Sequence, residues 1–340
     1  MQTASYYSGK RVWVAGHSGL VGSSIVRRLS REPCEVLVVD RSQLDLLRQQ
    51  DVERWVQRHR PDVIFLAAGK VGGILANSRA PADFLYENIL INANIMAAAH
   101  AVGVQNLVVL GSSCIYPRDA AQPICEEALL TGLPEPTNEG YAIAKIAALK
   151  LAEAYAVQYG RDYIALMPTN LYGPNDNFDL MSSHVLPALI RKFADAVQSG
   201  SSEVTVWGSG APLREFLHAD DLADACVYLA ERCNGPDVIN VGSGEEIAIG
   251  DLARLIAEIA GFQGNIVFDR SKPDGAPRKR LDTERLKALG WQPRIKLRDG
   301  LRELYRIWVE TQQVDRWRHA DPRRPEFTAA VLHEECHPAE

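Results

Sequence analysis

The sequence has no Cys-x-x-Cys pair. Its six cysteines, Cys34, Cys114, Cys125, Cys226, Cys233 and Cys336, are scattered along 340 residues. That spacing excludes a disulfide framework and a zinc site, so each thiol reads first as a small buried hydrophobe. No apolar run reaches the ~18 residues needed to cross a bilayer. Met1 to Lys10 lack an apolar signal core, so no membrane partner and a cytoplasmic location are expected. A formal net charge of -6 leaves no basic footprint, which argues against nucleic acid as a partner. There is no internal repeat of about 20–50 residues and no low-complexity tract. His333, Cys336 and His337 have a metal-like spacing, but they fall in a charged, proline-containing tail, and no metal site is expected.

What is present is an ordinary globular composition, 46% hydrophobic and 24% charged, on a chain long enough for one large or two modest domains. Apolar strands are expected at 10–15, 35–40, 61–68, 106–110, 161–167 and 237–241. Helical spacing follows the first of them through Ile25, Val26 and Leu29, and recurs at 49–59, 81–102 and 141–159. This alternation specifies an α/β fold, a doubly wound parallel (Rossmann) sheet. Beyond residue 174 the pattern loosens into helices near 184–197, 249–260, 282–289 and 297–313, with strands at 203–207 and 265–269. Arg214 to His218 leads into a helix capped near Asp220. The expected division is residues 9–172 plus 214–243 for the nucleotide domain and 173–213 plus 244–320 for a smaller C-terminal α/β substrate domain. Residues 1–8 and 321–340 are expected to be disordered.

Between the first strand and its helix lies Gly16-His17-Ser18-Gly19-Leu20-Val21-Gly22. Glycines there permit a tight turn, close approach of a pyrophosphate to the helix N-terminus, and close packing of helix on strand. The second strand ends in Asp40-Arg41, and Asp45-Leu46 follow. An acid at this point suits the ribose diol of NAD, whereas an arginine suits the 2′-phosphate of NADP. The two signals point in different directions. Gly69 to Gly73 is flexible enough to pass beside a cofactor.

The fourth strand runs through Leu110 into Gly111-Ser112-Ser113-Cys114-Ile115-Tyr116-Pro117. Alone this is ordinary turn chemistry, although strand ends in open α/β sheets are where ligands bind. If Ser112 and Cys114 lie on extended chain, both side chains face one way and reach one substrate. Tyr141 and Lys145 then sit one turn apart on a helix. An ammonium beside a phenol of pKa near ~10 stabilises the phenolate and brings proton exchange closer to neutral pH. Tyr6 and Lys10 repeat the spacing, but outside any expected helix, and are set aside.

In that order, the glycine-rich turn, Ser112, Tyr141 and Lys145 resemble the extended short-chain dehydrogenase/reductase family. The likeness extends over residues 10–315 to its GDP-L-fucose synthase branch. It is carried by Ser112 to Pro117, Gly140 to Lys145, Met167 to Pro174, Asp176 to Phe178, Ser183 to Val185, Val206 to Gly210, Arg214 to His218 and Lys272 to Gly275. The resemblance implies a cytoplasmic homodimer that epimerises GDP-4-keto-6-deoxy-mannose at C3 and C5 and then reduces C4 with NADPH, or alternatively NADH.

It further implies Cys114 as base, His184 as acid, Tyr141 as proton donor, Ser112 as ligand of the C4 oxygen, and Lys145 as the group tuning Tyr141. Cofactor contacts would come from the glycine-rich turn, Asp40, Arg41, Asp45, Leu46, Leu110, Gly111, Ser113, Tyr141, Lys145, Pro168, Thr169, Asn170, Leu171 and His184. Substrate contacts would come from Asn170, Lys192, Trp207, Arg214, Lys272 and Asp274. Two positions depart from the family: Ser18, where many members carry Arg, and Asn175, where His is frequent. An enzyme that only epimerises or only reduces a related GDP-sugar, or a non-catalytic nucleotide sensor, are the alternatives.

Overall fold

Val12 and Val14 of the first strand turn to one side of a sheet and Trp13 to the other, all three fully buried. This is the period of a strand covered on both faces. The computed structural model describes residues 5–320 apart from residue 273. In chain order, β1 (Arg11–Ala15), α1 (Leu20–Leu29), β2 (Glu35–Leu37), α2 (Gln49–His59), β3 (Val63–Leu66), α3 (Ile74–Arg79), α4 (Pro81–Ala101), β4 (Asn106–Leu110), α5 (Glu139–Tyr159) and β5 (Asp162–Pro168) come first. β6 (Asn170–Tyr172), α6 (Val185–Ser199), β7 (Glu203–Trp207), β8 (Leu213–His218), α7 (Ala219–Arg232), β9 (Val238–Val241) and β10 (Glu246–Ala248) follow. The chain continues with α8 (Ile249–Ala260), β11 (Asn265–Asp269), β12 (Arg278–Lys279), α9 (Glu284–Ala288) and α10 (Leu297–Ala320).

Six strands pair in the order β2-β1-β3-β4-β5-β9, every pair parallel. α1 and α7 cover one face, and α2, α4 and α5 the other. The order reverses between β1 and β3, the kind of point where open sheets bind ligands. The doubly wound sheet expected from the alternation is therefore present, with β2 shorter than the 35–40 stretch suggested.

A second sheet is centred on β8, which pairs with β10 antiparallel and with β12 and β6 parallel. β7 and β11 form a separate parallel pair. A third apolar cluster, including Phe193, Phe216, Leu252 and Leu301, joins α6, β8, α8 and α10.

Three local expectations are corrected. Arg214 to His218 does lead into a helix, α7, but as a strand, and that strand centres the smaller sheet instead of joining β9 in the nucleotide sheet. Residues 5–8 are ordered: Tyr7 is 2% exposed and its hydroxyl donates to the Val227 carbonyl at 2.8 Å. The last helix extends to Ala320 rather than to about 313. Residues 1–4 and 321–340, with the His333–His337 cluster, lie outside the described residues.

Candidate active site

The glycine-rich turn places three glycines under different demands. Gly16 has φ 87°, and a Cβ there would lie 2.7 Å from the Ala68 backbone. A Cβ on Gly22 would lie 2.0 Å from the Gly16 carbonyl oxygen. Gly19 is roomier and caps α1, whose first turn has no side-chain cap and no acidic residue. The uncapped N–H groups of Leu20, Val21 and Gly22 thus face outward at the positive end of a helix dipole, a fit for the pyrophosphate of a dinucleotide. Asp40 lies across this turn, its Oδ1 3.5 Å from His17 Nε2. Asp45 is turned to its own loop, accepting from Leu47 N at 3.0 Å, and the Leu46 carbonyl accepts from Asn94 at 2.9 Å.

β4 ends at Leu110, and the next residues do not continue extended. Ser113–Ile115 form one 3-10 turn. The Ser112 hydroxyl accepts from Cys114 N at 3.4 Å, and its Oγ lies 2.8 Å from Cys114 Sγ. The two side chains are in contact, and the turn, not strand periodicity, brings them together. A Cβ on Gly111 would lie 2.3 Å from Met167 Sδ, so any side chain there would have to displace the end of Met167. Ser113 and Thr169 are buried, and the Thr169 hydroxyl is used by the Glu215 carbonyl at 3.1 Å, so these two offer backbone rather than side chain to a ligand. Pro168 and Leu171 are held by pairing of β5 with β9 and of β6 with β8. Asn170 donates to the Glu215 carbonyl at 2.8 Å.

Tyr141 and Lys145 are buried in the first two turns of α5. Burial pushes the Tyr141 phenol up, with Cys114 adding to the effect. Lys145 donates to the Leu110 carbonyl at 2.9 Å, and burial pushes its ammonium down to about 8, partly offset by Cys114. The expected lowering of Tyr141 by Lys145 is therefore corrected: desolvation of the phenolate outweighs a cation whose hydrogen bond goes elsewhere. Buried Asn88 braces the neighbouring segment, accepting from Lys70 N at 3.0 Å and donating to the Lys70 carbonyl at 3.0 Å.

His184 caps α6 at the end of a polar loop that Gly73 N anchors through the Ser182 carbonyl at 2.9 Å. Its ring stands in a protein-lined recess yet is open to solvent. Desolvation and then Lys279 lower its pKa, and the solvent access argues for a modest effect. Lys279 was not anticipated. It is half-buried on β12 in register with Arg214, and burial lowers its ammonium, with Cys114 opposing that shift most strongly. Only the pairing of β12 with β8 reveals it, since Arg278-Lys279-Arg280 reads as a solvated run. Asn175 holds φ 65° and donates to Ser23 Oγ at 3.1 Å, so its side chain is spent on α1.

Five of the six expected substrate residues lie near one another at one rim, whereas Asn170 stands on β6. Trp207 is 48% exposed, with Lys192 Nζ 5.3 Å and Lys272 Nζ 5.5 Å from its ring centroid. Lys192 donates to the Thr205 carbonyl at 2.8 Å. Arg214 donates to the Leu213 and Asp274 carbonyls at 2.8 and 3.4 Å, and burial lowers its pKa. The Asp274 carboxylate is taken by Ser209 N and Oγ at 2.6 and 2.7 Å, which holds it below the usual range. The rim is thus a flat aromatic face beside two partly desolvated cations, Lys192 and Arg214, and the exposed Lys272, suited to a nucleobase beside phosphates. Among the described residues no cluster of metal ligands occurs.

The sequence profile of the NAD dependent epimerase/dehydratase family matches residues 12–242. GDP-L-fucose synthase of Sinorhizobium fredii is 54% identical over 88% of this chain and 96% of its own length. GDP-L-fucose synthase of Escherichia coli K12 is 50% identical over 92% and 99%, respectively. Among solved structures, a GDP-L-fucose synthetase from Naegleria fowleri bound to NADP superposes with a TM-score of 0.84 at 28% identity, covering 92% of this chain and 96% of that one. The chain belongs to the NAD dependent epimerase/dehydratase family, on the branch occupied by its GDP-L-fucose synthases.

Proposed function

We propose that the protein converts GDP-4-keto-6-deoxy-D-mannose to GDP-L-fucose, by epimerisation at C3 and C5 followed by reduction at C4. The observation that carries this reading is the Ser112–Cys114 contact at the end of β4, beside Tyr141 and Lys145. Carbons next to a ketone are acidic. The Cys114 thiolate removes the proton from C3 or C5, and the C–H electrons pass to the C4 oxygen. Tyr141 and Ser112 donate hydrogen bonds to that oxygen as its charge grows. His184 returns a proton on the other face, its lowered pKa making it a ready donor.

Each inversion leaves Cys114 protonated and His184 neutral. Both must exchange with solvent before the second, and neither is sealed from it. In the reduction, Tyr141 gives its proton to the C4 oxygen, and the phenolate left behind takes a proton from the neighbouring Lys145 ammonium, which is reprotonated from solvent. NADPH supplies the hydride, and the glycine-rich turn with Lys145 would hold it. Lys192, Trp207, Arg214 and Lys272 hold the GDP half.

Exposed Tyr86 and Ile89 on α4 with Ile143 and Val157 on α5 support a homodimer built on these packed helices. Five described cysteines, all unpaired, support a cytoplasmic location. The test is incubation with the GDP-4-keto sugar in deuterated solvent, with and without NADPH. Deuterium at C3 and C5 without cofactor, and GDP-L-fucose with it, are expected. Exchange without reduction, or reduction without exchange, would replace this reading by a single-step one.

A further inference from the structure

β1 and β2 are paired in register, Trp13 opposite Leu37. Three residues further along each chain stand Gly16 and Asp40, so the acid is level with the first glycine of the turn. The contact of Asp40 Oδ1 with His17 Nε2 at 3.5 Å confirms that the carboxylate leans over the turn's mouth. That side chain is 70% exposed, and among the described residues it has no other ion pair or hydrogen bond. Arg41, also exposed, is the one lysine or arginine in residues 16–22 and 38–47, and it too makes no ion pair or hydrogen bond among the described residues. Nearby Arg48 faces Asp45 at 3.7 Å instead.

A carboxylate at this place accepts a hydrogen bond from a ribose 2′-hydroxyl and repels a 2′-phosphate, whereas a guanidinium does the reverse. One unit charge at solvent-screened range is worth about tenfold in affinity. Here an exposed acid and an exposed base flank the same position, and the turn itself contributes Ser18 and no lysine or arginine. We propose that this site discriminates weakly between NADPH and NADH, Asp40 holding the ribose diol of NADH while opposing the 2′-phosphate that Arg41 attracts. The inference rests on the dinucleotide site of the proposed function and assigns its selectivity to two residues.

Calorimetric titration of the purified protein with NADPH and with NADH, without sugar substrate, tests it. The wild-type dissociation constants are expected to lie within about tenfold of each other. In Asp40→Asn, which keeps the side-chain shape and loses the charge, the ratio moves at least tenfold toward NADPH. A smaller movement overturns the proposal, as does a wild-type preference for NADPH beyond a hundredfold. Should Asp40→Asn fail to fold, Arg41→Ala decides from the other side: the ratio moves at least fivefold toward NADH, and a smaller change overturns the proposal. Failure of the wild type to bind either dinucleotide overturns the proposed function itself, and this inference with it.

Discussion

Ser112 Oγ lies 2.8 Å from Cys114 Sγ while accepting from the Cys114 backbone N–H at 3.4 Å. Either group can donate in the resting contact, and once the sulfur is a thiolate the hydroxyl is the donor. In the proposed reaction this hydroxyl holds the thiolate before proton transfer and turns to the C4 oxygen as charge moves there. A hydrogen bond to a charged group is worth about 1.5–3 kcal/mol. Ser112→Ala is expected to slow iodoacetamide alkylation of Cys114 at neutral pH about tenfold, read by peptide mass spectrometry because Cys125 is also exposed. Cys114→Ser should abolish solvent exchange at C3 and C5 and leave NADPH affinity unchanged. Full exchange in that variant would remove Cys114 from the role of base.

Lys279, like Lys145, is a cation whose charge Cys114 favours. β12 sets it beside Arg214, and the same segment is stitched to the loop following Cys114, with Ile124 N donating to the Arg280 carbonyl at 2.8 Å. Burial works against its charge and Cys114 in its favour. Lys279→Met is expected to slow alkylation of Cys114 at neutral pH about three- to tenfold, with Lys279→Arg restoring much of it. Unchanged alkylation with reduced turnover would make Lys279 a substrate ligand instead.

The nucleotide half was largely legible, because buried parallel strands and glycine-constrained turns leave local marks. What escaped was non-local. Glu215 of β8 is fully buried, its carboxylate accepting from Gly244 N at 2.7 Å and Leu281 N at 2.9 Å. Those partners come from segments that sequence distance hides. Tyr7 is tied down only through α7. Ser112 and Cys114 were correctly grouped for an incorrect reason, since alternation was assumed where a side chain-capped turn formed. Residue types named the chemistry, whereas Lys279 needed the strand register to be seen at all.

The Trp207 rim makes separate predictions for affinity and turnover. A guanidinium binds phosphate oxygens through paired donors that an ammonium cannot reproduce. Arg214→Lys should raise KM for the GDP-sugar about tenfold with kcat within threefold, the pattern for an interaction made equally before and during reaction. Trp207→Ala should weaken GDP binding by about 1–3 kcal/mol, the range for a base stacked on an aromatic ring. Calorimetry with GDP alone checks the second value, and an unchanged affinity would place the base elsewhere.

Asp176 stands in the loop that leads to His184. Its Oδ1 accepts from Asn177 N at 2.7 Å, while its Oδ2 is buried without a partner. Burial raises its pKa to about 7, against the weaker pull of the Asn177 N–H. The unfolded chain releases this proton near ~4 and the folded protein near about 7, so the native state holds more protons in between. Stability contributed by the protonated form is therefore present in full below about 4 and is lost as pH rises through 7. Asp176→Asn carries no charge at any pH and keeps the acceptor. Relative to wild type it should gain roughly 1–3 kcal/mol between pH 4 and pH 8, allowing for partial solvent access. Urea unfolding at the two pH values measures the difference directly, and a variant effect equal at both would show that Asp176 ionises freely in the folded protein.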